Sequence, residues 1–311
     1  MAEAREPAFA PEPLELDEVR RAFGRAAASY DAHALLQRVV CDRLLERLDY
    51  MNLQPARVLD VGCGTGYGLA HLRDRYTEAA LTALDIAPAM LAAARARQPQ
   101  PGWAQRALQR FAPPANATHF VCADMARLPL AANSMDLVWS SLALQWAQDL
   151  EAVLKGFHRV LAPGGLLMFA TFGPDTLKEL RAAFAAIDDA PHVNRFTDLH
   201  DIGDMLVHAG YANPVMEMEM LTLTYADLKT LMRDLKAIGA HNAAAARRRG
   251  LFGKSAWARL EVAYEAHRRD GRLPASFEVI YGHAWAGDKT RREDGRQVIQ
   301  LAIQRRKAGL R

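Results

Sequence analysis

An acidic residue and three glycines at alternate positions stand directly after a short apolar run. Residues 57–61 are typical of a buried strand, with Asp60 near the end of the run and Gly62, Gly64 and Gly66 following it. Glycine is needed where the backbone adopts a positive φ or where a ligand approaches the main chain closely. A strand, a glycine turn and a helix N-terminus together form a nucleotide-shaped cleft at the carboxyl end of a parallel sheet.

The spacing of these glycines argues against a dinucleotide site. The dinucleotide fingerprint is G-x-G-x-x-G, and its third glycine would fall on Tyr67 or Leu69. The sequence instead reads D-x-G-x-G-x-G, which places the carboxylate of Asp60 inside the motif. A carboxylate favours a cationic ligand such as a sulfonium and would repel a pyrophosphate. For this motif by itself, a glycine turn that serves only strand–helix packing is the alternative.

Two further acidic residues lie at the ends of the next two predicted strands. The apolar run 80–85 ends in Asp85, about 20 residues after the glycine turn, where an acid can accept hydrogen bonds from both ribose hydroxyls. Asp85 can also be read as a cap of the helix that opens near Pro88, and both roles are compatible. The run 118–122 leads to a third acid, Asp124, followed by Met125.

Two later segments complete a family pattern. A fourth predicted strand over residues 135–140 contains D-L-V-W-S, and R-V-L-x-P-G-G precedes a fifth strand over 166–172. With the glycine motif, this progression resembles the class I S-adenosylmethionine-dependent methyltransferases over residues 57–172. The resemblance implies an α/β Rossmann-like fold, with a mostly parallel seven-stranded sheet, helices on both faces and S-adenosyl-L-methionine as cofactor. It also implies that Asp124 contacts the adenine amino group and that Met125 packs on the ring. The cofactor-binding residues expected from it are Asp60, Gly62, Gly64, Gly66, Asp85, Ile86, Met90, Asp124, Met125, Ser141 and Leu142.

The segment before the first strand has mainly helical periodicity over residues 16–50. Because it cannot contribute to the centre of the sheet, we expect it to cover the cleft as an N-terminal helical lid that excludes water. Tyr30, His33 and Gln37 would then line the pocket. A tyrosine at helical spacing is, however, more often a packing residue than a ligand contact.

The length and the hydrophobic content of the chain predict a single domain with additions to its core. The 311 residues, half of them hydrophobic, can bury a substantial core. Residues 1–15 contain four acidic residues and three prolines and are expected to be disordered, and residues 287–311 are expected to form a basic tail. The methyltransferase domain would span 16–286. Its parts would be the lid (16–50), the cofactor-binding core (57–172), and a part that faces substrate and carrier protein and supplies the last strands (173–286).

Charge and cysteine content restrict the partners. The three cysteines lie far apart and match no metal spacing, and no secretory or membrane-length apolar run stands out. We therefore expect a cytoplasmic enzyme with reduced thiols, no metal, and neither nucleic acid nor membrane as partner. The net charge of +3 combines +10 over residues 225–311 with −7 over the remainder. This asymmetry suggests an acidic partner at the C-terminal part, or only a solvated basic face.

Segments outside the core narrow the choice of methyl acceptor. They read F-G-R-A-A-A-S-Y at 23–30, L-A-L-Q-W at 142–146, H-V-N-R-F at 192–196 and L-K-A-I-G-A at 235–240. Together they resemble the malonyl-acyl carrier protein O-methyltransferase family of biotin synthesis. The resemblance implies methylation of the free carboxylate of malonyl-acyl carrier protein, an early step towards pimeloyl groups. The acidic carrier protein would dock on basic residues: Arg247, Arg248, Arg249, Lys254 and Arg259.

The chemistry of such an acceptor requires little from the protein. A malonyl carboxylate is ionised at neutral pH, because carboxyl pKa values are about 4, so it is already a nucleophile. In-line positioning and removal of water can then supply catalysis. A planar guanidinium matches a carboxylate, and we predict that Arg195 orients the substrate, although a structural salt bridge would also explain it. Tyr30, His33 and His192 are the other candidates.

Three other interpretations compete with this one. The segment G-P-D-T-L-K-E-L-R at 173–181 also resembles mitochondrial complex I assembly factors of methyltransferase fold, which are associated with arginine hydroxylation. An N-terminus unlike a transit peptide and the N-R-F run at 194–196 argue against that function. Another small-molecule methyltransferase, such as a ubiquinone or menaquinone enzyme, would need a base or an aromatic clamp. A non-enzymatic nucleotide-binding module is least favoured because the whole cofactor motif is intact.

Overall fold

The computed structural model describes residues 14–99, 116–240, 242 and 252–287. Seven strands form one sheet in the order β3-β2-β1-β4-β5-β7-β6. The strands are β1 Arg57–Val61, β2 Ala80–Asp85, β3 Thr118–Cys122, β4 Met135–Ser141, β5 Leu161–Phe172, β6 Tyr211–Tyr225 and β7 Leu273–Ala286.

Ten α-helices lie within the described residues. They are α1 Leu16–Ala26, α2 Tyr30–His33, α3 Leu35–Arg47, α4 Tyr67–Arg75, α5 Pro88–Arg97, α6 Leu150–Val160, α7 Lys178–Ala185, α8 Leu199–His208, α9 Leu228–Ala237 and α10 Lys254–Glu265. Short 3-10 helices at Leu48–Tyr50, Met125–Arg127 and Leu144–Trp146 complete the elements. None of the described helices is both long enough and apolar enough to cross a bilayer.

The strand directions confirm the predicted Rossmann-like arrangement. Strands β1 to β5 pair in parallel, whereas β7 runs antiparallel to both β5 and β6. The chain order reverses beside β1, since β2 and β3 lie on one side of it and β4 on the other. In an open α/β sheet such a switch point leaves a crevice outside the carboxyl ends of the strands.

Hydrophobic packing covers both faces of the sheet, as β4 illustrates. Leu137 and Trp139 of β4 pack with residues of α3, α4, α9 and α10, and Val138 between them packs on the opposite face with α6 and α8. All three side chains are fully buried. A strand buried on both faces reads as a continuous apolar run, as Leu137, Val138 and Trp139 do.

Several boundaries differ from the sequence prediction. Strand β5, predicted over 166–172, begins already at Leu161. The two last strands, which were expected only somewhere within residues 173–286, span 211–225 and 273–286 because they pair with each other along this length.

The predicted N-terminal disorder and the basic tail fall mostly outside the described residues. Residues 1–13 and 288–311 are not among them. Leu14, inside the segment predicted as disordered, is buried and packs in a small cluster with Val19, Phe23 and Trp146. Ordered packing therefore begins before residue 16.

Candidate active site

A crevice lies at the carboxyl ends of β1, β2 and β4, beneath helix α1, and we call it the glycine-turn crevice. Nine of the residues predicted to bind cofactor line it, whereas Asp60 and Gly66 are not among its lining residues. These nine are Gly62, Gly64, Asp85, Ile86, Met90, Asp124, Met125, Ser141 and Leu142. From the N-terminal helices, Leu16, Val19, Phe23 and Tyr30 close the opposite side.

The three glycines of the turn have different neighbours. A Cβ on Gly62 would lie 2.3 Å from the Cβ of Ala143, and one on Gly66 would lie 3.0 Å from Ala94 of α5. A Cβ on Gly64 would meet nothing within 4 Å. All three have positive φ. Gly62 and Gly66 therefore allow close packing, and Gly64 leaves open space where a ligand can approach the backbone.

Asp85 joins the glycine turn to α5. Its Oδ2 accepts the Gly64 N–H at 3.0 Å, and its Oδ1 accepts the N–H of Ala87, the N-cap of α5, at 2.8 Å. Each carboxylate oxygen can accept a second hydrogen bond, so the two predicted roles, capping and ribose binding, are geometrically compatible. Burial raises the pKa of Asp85, and its backbone hydrogen bonds oppose that rise.

Asp60 is a buried carboxyl group with an unpartnered oxygen. The residue is only 3% exposed, and its Oδ2 accepts no hydrogen bond from the described residues. Burial, and after it the charge of Asp85, raises its pKa to about 8. An unsatisfied buried acceptor calls for an explanation. A ligand that carries a cationic sulfonium and an ammonium group would provide one, so the donor set fits S-adenosylmethionine.

Asp124 lies at the far end of the crevice. It caps the 3-10 helix Met125–Arg127 by accepting the Ala126 N–H at 2.9 Å through Oδ1. The cap fixes the carboxylate beside Met125, and both side chains line the crevice. Contact of Asp124 with an adenine amino group stays a prediction.

Asp31 in α2 ties the N-terminal helices to the glycine turn. Its Oδ1 accepts a hydrogen bond from the Thr65 hydroxyl at 2.6 Å, and its Oδ2 forms an ion pair with Arg97 of α5. On α2 as well, the Nδ1 of His33 lies 3.3 Å from Asp234 Oδ1 of α9. The N-terminal helices thus lie over the turn, and their opening and closing as a lid stays a prediction.

A second, larger cavity adjoins the crevice, and we call it the aromatic cavity. It has a volume of about 720 Å³. Phe23, Tyr30, Leu142 and Trp146 line both spaces and mark their junction. Most of the wall is apolar, and its aromatic side chains are Phe23, Tyr30, Trp146, Phe172, Phe184, His192, Phe196, Phe252, Trp257 and Phe277.

Few polar groups reach the aromatic cavity without a protein partner. Tyr30 lies at the junction, and burial together with the charges of Asp85 and Asp31 raises the pKa of its hydroxyl, so that it stays protonated. The side-chain carbonyl oxygens of Gln37 and Asn194 are buried and accept no hydrogen bond from the described chain.

The structure does not bring two of the predicted catalytic residues into the aromatic cavity. His33 is exposed on α2 and is held by Asp234. Arg195 is exposed on the loop before α8 and lines a small neighbouring cavity with Gln145 and Thr171. The third predicted residue, Tyr30, does line the aromatic cavity. A catalytic role for His33 or Arg195 remains a prediction that the geometry does not favour.

His192 lines the aromatic cavity but is already engaged. Its ring stacks on Phe184 with centroids 3.9 Å apart, and its Nε2 lies 2.7 Å from Asp188 Oδ1. Both contacts fix the ring within the wall. We therefore assign His192 to the framework of the cavity.

Sequence reasoning missed three features of this site. The contacts of Asp31 with Thr65 and Arg97 could not be predicted, because these residues are distant from it in sequence. Leu142 and Leu177 line the aromatic cavity with φ of 52° and 55°, a left-handed conformation that is rare for leucine. Asn194, which is buried and lines the aromatic cavity, is adjacent in sequence to Arg195, whose charge is the stronger signal for binding a carboxylate.

Comparison with known proteins assigns the family. The methyltransferase domain family matches residues 59–169. The malonyl-acyl-carrier protein O-methyltransferase of Laribacter hongkongensis is 58% identical over 91% of this chain and 94% of its own length. The enzyme of that name from Gallionella capsiferriformans is 54% identical over 93% of this chain and 97% of its own length. The chain belongs to the malonyl-acyl-carrier protein O-methyltransferase family.

Membership of this family confirms the resemblance found in the sequence, and it confirms S-adenosylmethionine as the methyl donor. A solved structure supports the fold alone: the YcgJ protein of Bacillus subtilis superposes with a TM-score of 0.52 at 15% identity. That match covers 79% of this chain and 98% of the YcgJ chain.

Proposed function

We propose that this protein transfers a methyl group to the free carboxylate of malonyl-acyl carrier protein and forms the malonyl methyl ester. The observation that carries the proposal is the junction of the aromatic cavity with the glycine-turn crevice at Tyr30 and Leu142. An acceptor that enters through the aromatic cavity meets the donor site there. The names of relatives at 54–58% identity support the choice of acceptor.

The residues of the crevice are suited to hold the donor. Asp85 offers free lone pairs for the ribose hydroxyls and Asp124 for the adenine amino group. Asp60, whose raised pKa keeps it protonated in the ligand-free protein, would supply a negative charge for the cationic end once binding has released its proton. Gly64 leaves room for a ligand against the backbone. Bound S-adenosylmethionine supplies an electrophilic methyl group, which the carboxylate oxygen accepts while the electron pair of the broken bond stays on sulfur.

The protein needs to position the acceptor and to exclude water. The carboxylate carries no proton at neutral pH, so no general base is required. Tyr30 stays protonated, because burial raises its pKa, and can therefore donate a hydrogen bond at the junction. The apolar wall removes water from the carboxylate, which makes the carboxylate a better nucleophile.

We also propose that the carrier protein docks on the basic C-terminal part. Lys236 and Lys254 are exposed at the rim of the aromatic cavity, and Arg259 lies on α10 beyond Lys254. The other residues of the predicted docking surface, Arg247 to Arg249, are not among the described residues. An acidic partner would be attracted to this rim. We propose accordingly that the reaction takes place in the cytoplasm, within the biotin pathway.

Charge reversal at the rim tests the docking surface. We expect Lys254→Glu with Arg259→Glu to raise the KM for malonyl-acyl carrier protein about 10-fold, since rim charges mainly affect association. Turnover of a malonyl-pantetheine thioester, which has no carrier protein, should be unchanged. Lys229→Glu, an exposed residue of α9 that does not line the cavity, is the matched control. An unchanged KM for the carrier protein in the double variant would contradict the surface.

Transfer of labelled methyl groups from S-adenosylmethionine tests the function itself. We expect base-labile label on malonyl-acyl carrier protein and none on acetyl-acyl carrier protein. Cofactor binding without transfer to the malonyl form would contradict the proposal. Hydroxylation of a protein arginine, without any transfer of methyl label, would instead favour the interpretation as an assembly factor.

A further inference from the structure

Two hydrogen-bond donors lie where the aromatic cavity joins the glycine-turn crevice. Four residues line both spaces and therefore surround this junction: Phe23, Tyr30, Leu142 and Trp146. The side chains of Phe23 and Leu142 are apolar. Tyr30 and Trp146 each carry one polar hydrogen, on the hydroxyl and on the indole nitrogen. An acceptor carboxylate that meets the methyl donor at the junction therefore lies beside these two groups.

The indole N–H of Trp146 has no partner within the described part of the chain. It donates to no described residue, and its nitrogen is not fully buried, unlike the indole nitrogen of Trp139. The N–H is therefore accessible to a ligand and is not enclosed by packing. An indole N–H can only donate a hydrogen bond and an ionised carboxylate can only accept one, so the two groups are complementary.

The segment after β4 holds the indole ring in place. The backbone N–H of Trp146 donates to the carbonyl of Ala143 at 3.0 Å, at the end of the 3-10 helix Leu144–Trp146. The ring packs edge-on against Phe23 of α1, with centroids 5.4 Å apart, in a small hydrophobic cluster. Side chains that orient a reacting group need such support, because a small displacement removes most of their effect.

The other polar side chains of the aromatic cavity are less suited to bind a carboxylate at the junction. Lys236 and Lys254 are exposed at the rim. Gln37, Asn194 and Trp257 line this cavity but not the glycine-turn crevice. In Gln37 and Asn194, moreover, the buried atom without a partner is a carbonyl oxygen, which a carboxylate cannot satisfy. The remaining polar side chains of the described lining are engaged within the protein: Gln145, Thr176, His192 and Asn242.

The polar side chains that line only the glycine-turn crevice are no better suited. Asp85 and Asp124 would repel a carboxylate, and Ser141 lines the crevice but not the aromatic cavity. Tyr30 and Trp146 therefore remain. Of these two, Trp146 is the one whose polar group can only donate.

We propose that Trp146 binds the malonyl carboxylate, by donating its indole N–H to one carboxylate oxygen. This assignment rests on the proposed function and gives Trp146 the orienting role that was predicted for Arg195. The other carboxylate oxygen forms its bond to the methyl carbon as the bond from that carbon to sulfur breaks and leaves its electron pair on sulfur.

A neutral donor suits this reaction because the carboxylate loses its negative charge as the ester forms. A guanidinium would stabilise that charge in the ground state, whereas an indole N–H orients the oxygen with less ground-state stabilisation. The acetyl thioester has no carboxylate and gains nothing from the N–H. Trp146 would thus select malonyl over acetyl thioesters.

Removal of the N–H alone tests this role. A tryptophan analogue with sulfur in place of the indole nitrogen, incorporated at position 146, keeps the size of the ring. We expect it to raise the KM for malonyl-acyl carrier protein about 10- to 100-fold, the usual effect of losing a hydrogen bond to a charged group. The kcat should change little, because the hydrogen bond is already formed in the ground state. The inhibition constant of acetyl-acyl carrier protein as competitor and the Kd of S-adenosylmethionine should not change.

Two conventional variants accompany the analogue. Trp146→Phe should also raise the malonyl KM relative to the acetyl inhibition constant. Trp257→Phe is the matched control, because Trp257 lines the aromatic cavity away from the crevice lining and its indole N–H likewise donates to no described residue. This control should leave the ratio of the two thioester constants unchanged.

The two thioesters distinguish recognition of the carboxylate from a packing role. Equal losses of malonyl and acetyl binding in the analogue protein would show that the ring only shapes the cavity, and would overturn the proposal. An unchanged malonyl KM in that protein would overturn it too. A natural protein that does not methylate malonyl thioesters would refute the proposed function first.

Discussion

Replacing Asp60 by asparagine should change the stability of the ligand-free protein by an amount that depends on pH and grows more favourable to the variant as pH rises. The pKa of Asp60 is raised from its ordinary value of 3.8 to about 8, mainly by burial. Between these two values the folded protein keeps the proton that the unfolded chain loses. The free energy of unfolding therefore falls as pH rises through this window, by about 1.4 kcal/mol per pH unit for one proton.

The Asp60→Asn variant lacks this titration. From about pH 5 to about pH 7, its stability relative to the natural protein should increase by about 2.7 kcal/mol. The new amide N–H group also lacks a partner, which costs about 1–3 kcal/mol at every pH. That cost does not change with pH. The raised pKa is therefore tested by the slope of the stability difference against pH, and not by the size of the difference at any one pH.

Urea unfolding of the cofactor-free protein across this range measures the slope. Asp201→Asn, an exposed substitution on α8, is the matched control and should show a difference that is constant with pH. S-adenosylmethionine should bind the Asp60→Asn variant more weakly, and its binding to the natural protein near neutral pH should release a proton. Calorimetry in buffers of different ionisation enthalpy measures that release. A stability difference independent of pH would refute the assignment of a raised pKa to Asp60.

Three other perturbations have defined outcomes. Asp31→Ala should raise the Kd of S-adenosylmethionine, and in a double-mutant cycle with Thr65→Val the two effects should be non-additive, because their side chains share one hydrogen bond. Gly62→Ala should lower the Tm, since its Cβ would lie 2.3 Å from Ala143, with a destabilisation of about 1–3 kcal/mol. Gly64→Ala meets no neighbour and has only the strain of its positive φ, so it should lower the Tm less than Gly62→Ala does and should raise the Kd of S-adenosylmethionine; equal losses of Tm in the two glycine variants would contradict this. Tyr30→Phe should reduce kcat/KM for the malonyl thioester, and the natural protein should show no activity loss from tyrosine ionisation up to about pH 10, because the pKa of Tyr30 is raised.

The fold was predictable because local patterns and global topology agree in the core. The D-L-V-W-S segment predicted strand β4, and the glycine spacing predicted the turn after β1. Each of these features depends on residues that are neighbours in sequence. The bounds of β6 and β7 were not predictable, because they depend on pairing between strands about 60 residues apart. The alternation of apolar and polar residues within one segment does not show how far that pairing extends.

The sequence predicted most residues that line the glycine-turn crevice, but fewer of those that line the aromatic cavity. The acids Asp85 and Asp124 follow strands and could be placed from their position alone. Arg195 was chosen for its charge, but its exposure depends on how the loop after α7 folds. The buried position of Asn194 results from the anchoring of His192 and Phe196 on either side of it. The sequence around Asn194 contains no pattern that indicates these two packing contacts.

The intact mass of malonyl-acyl carrier protein after incubation with this protein and S-adenosylmethionine tests the central claim most directly. The account predicts that the carrier protein gains the mass of one methyl group in place of a proton. Fragmentation should place that methyl on the malonyl carboxylate, and acetyl-acyl carrier protein should keep its mass. An unchanged mass of the malonyl form, or a methyl group on the polypeptide, would contradict the account.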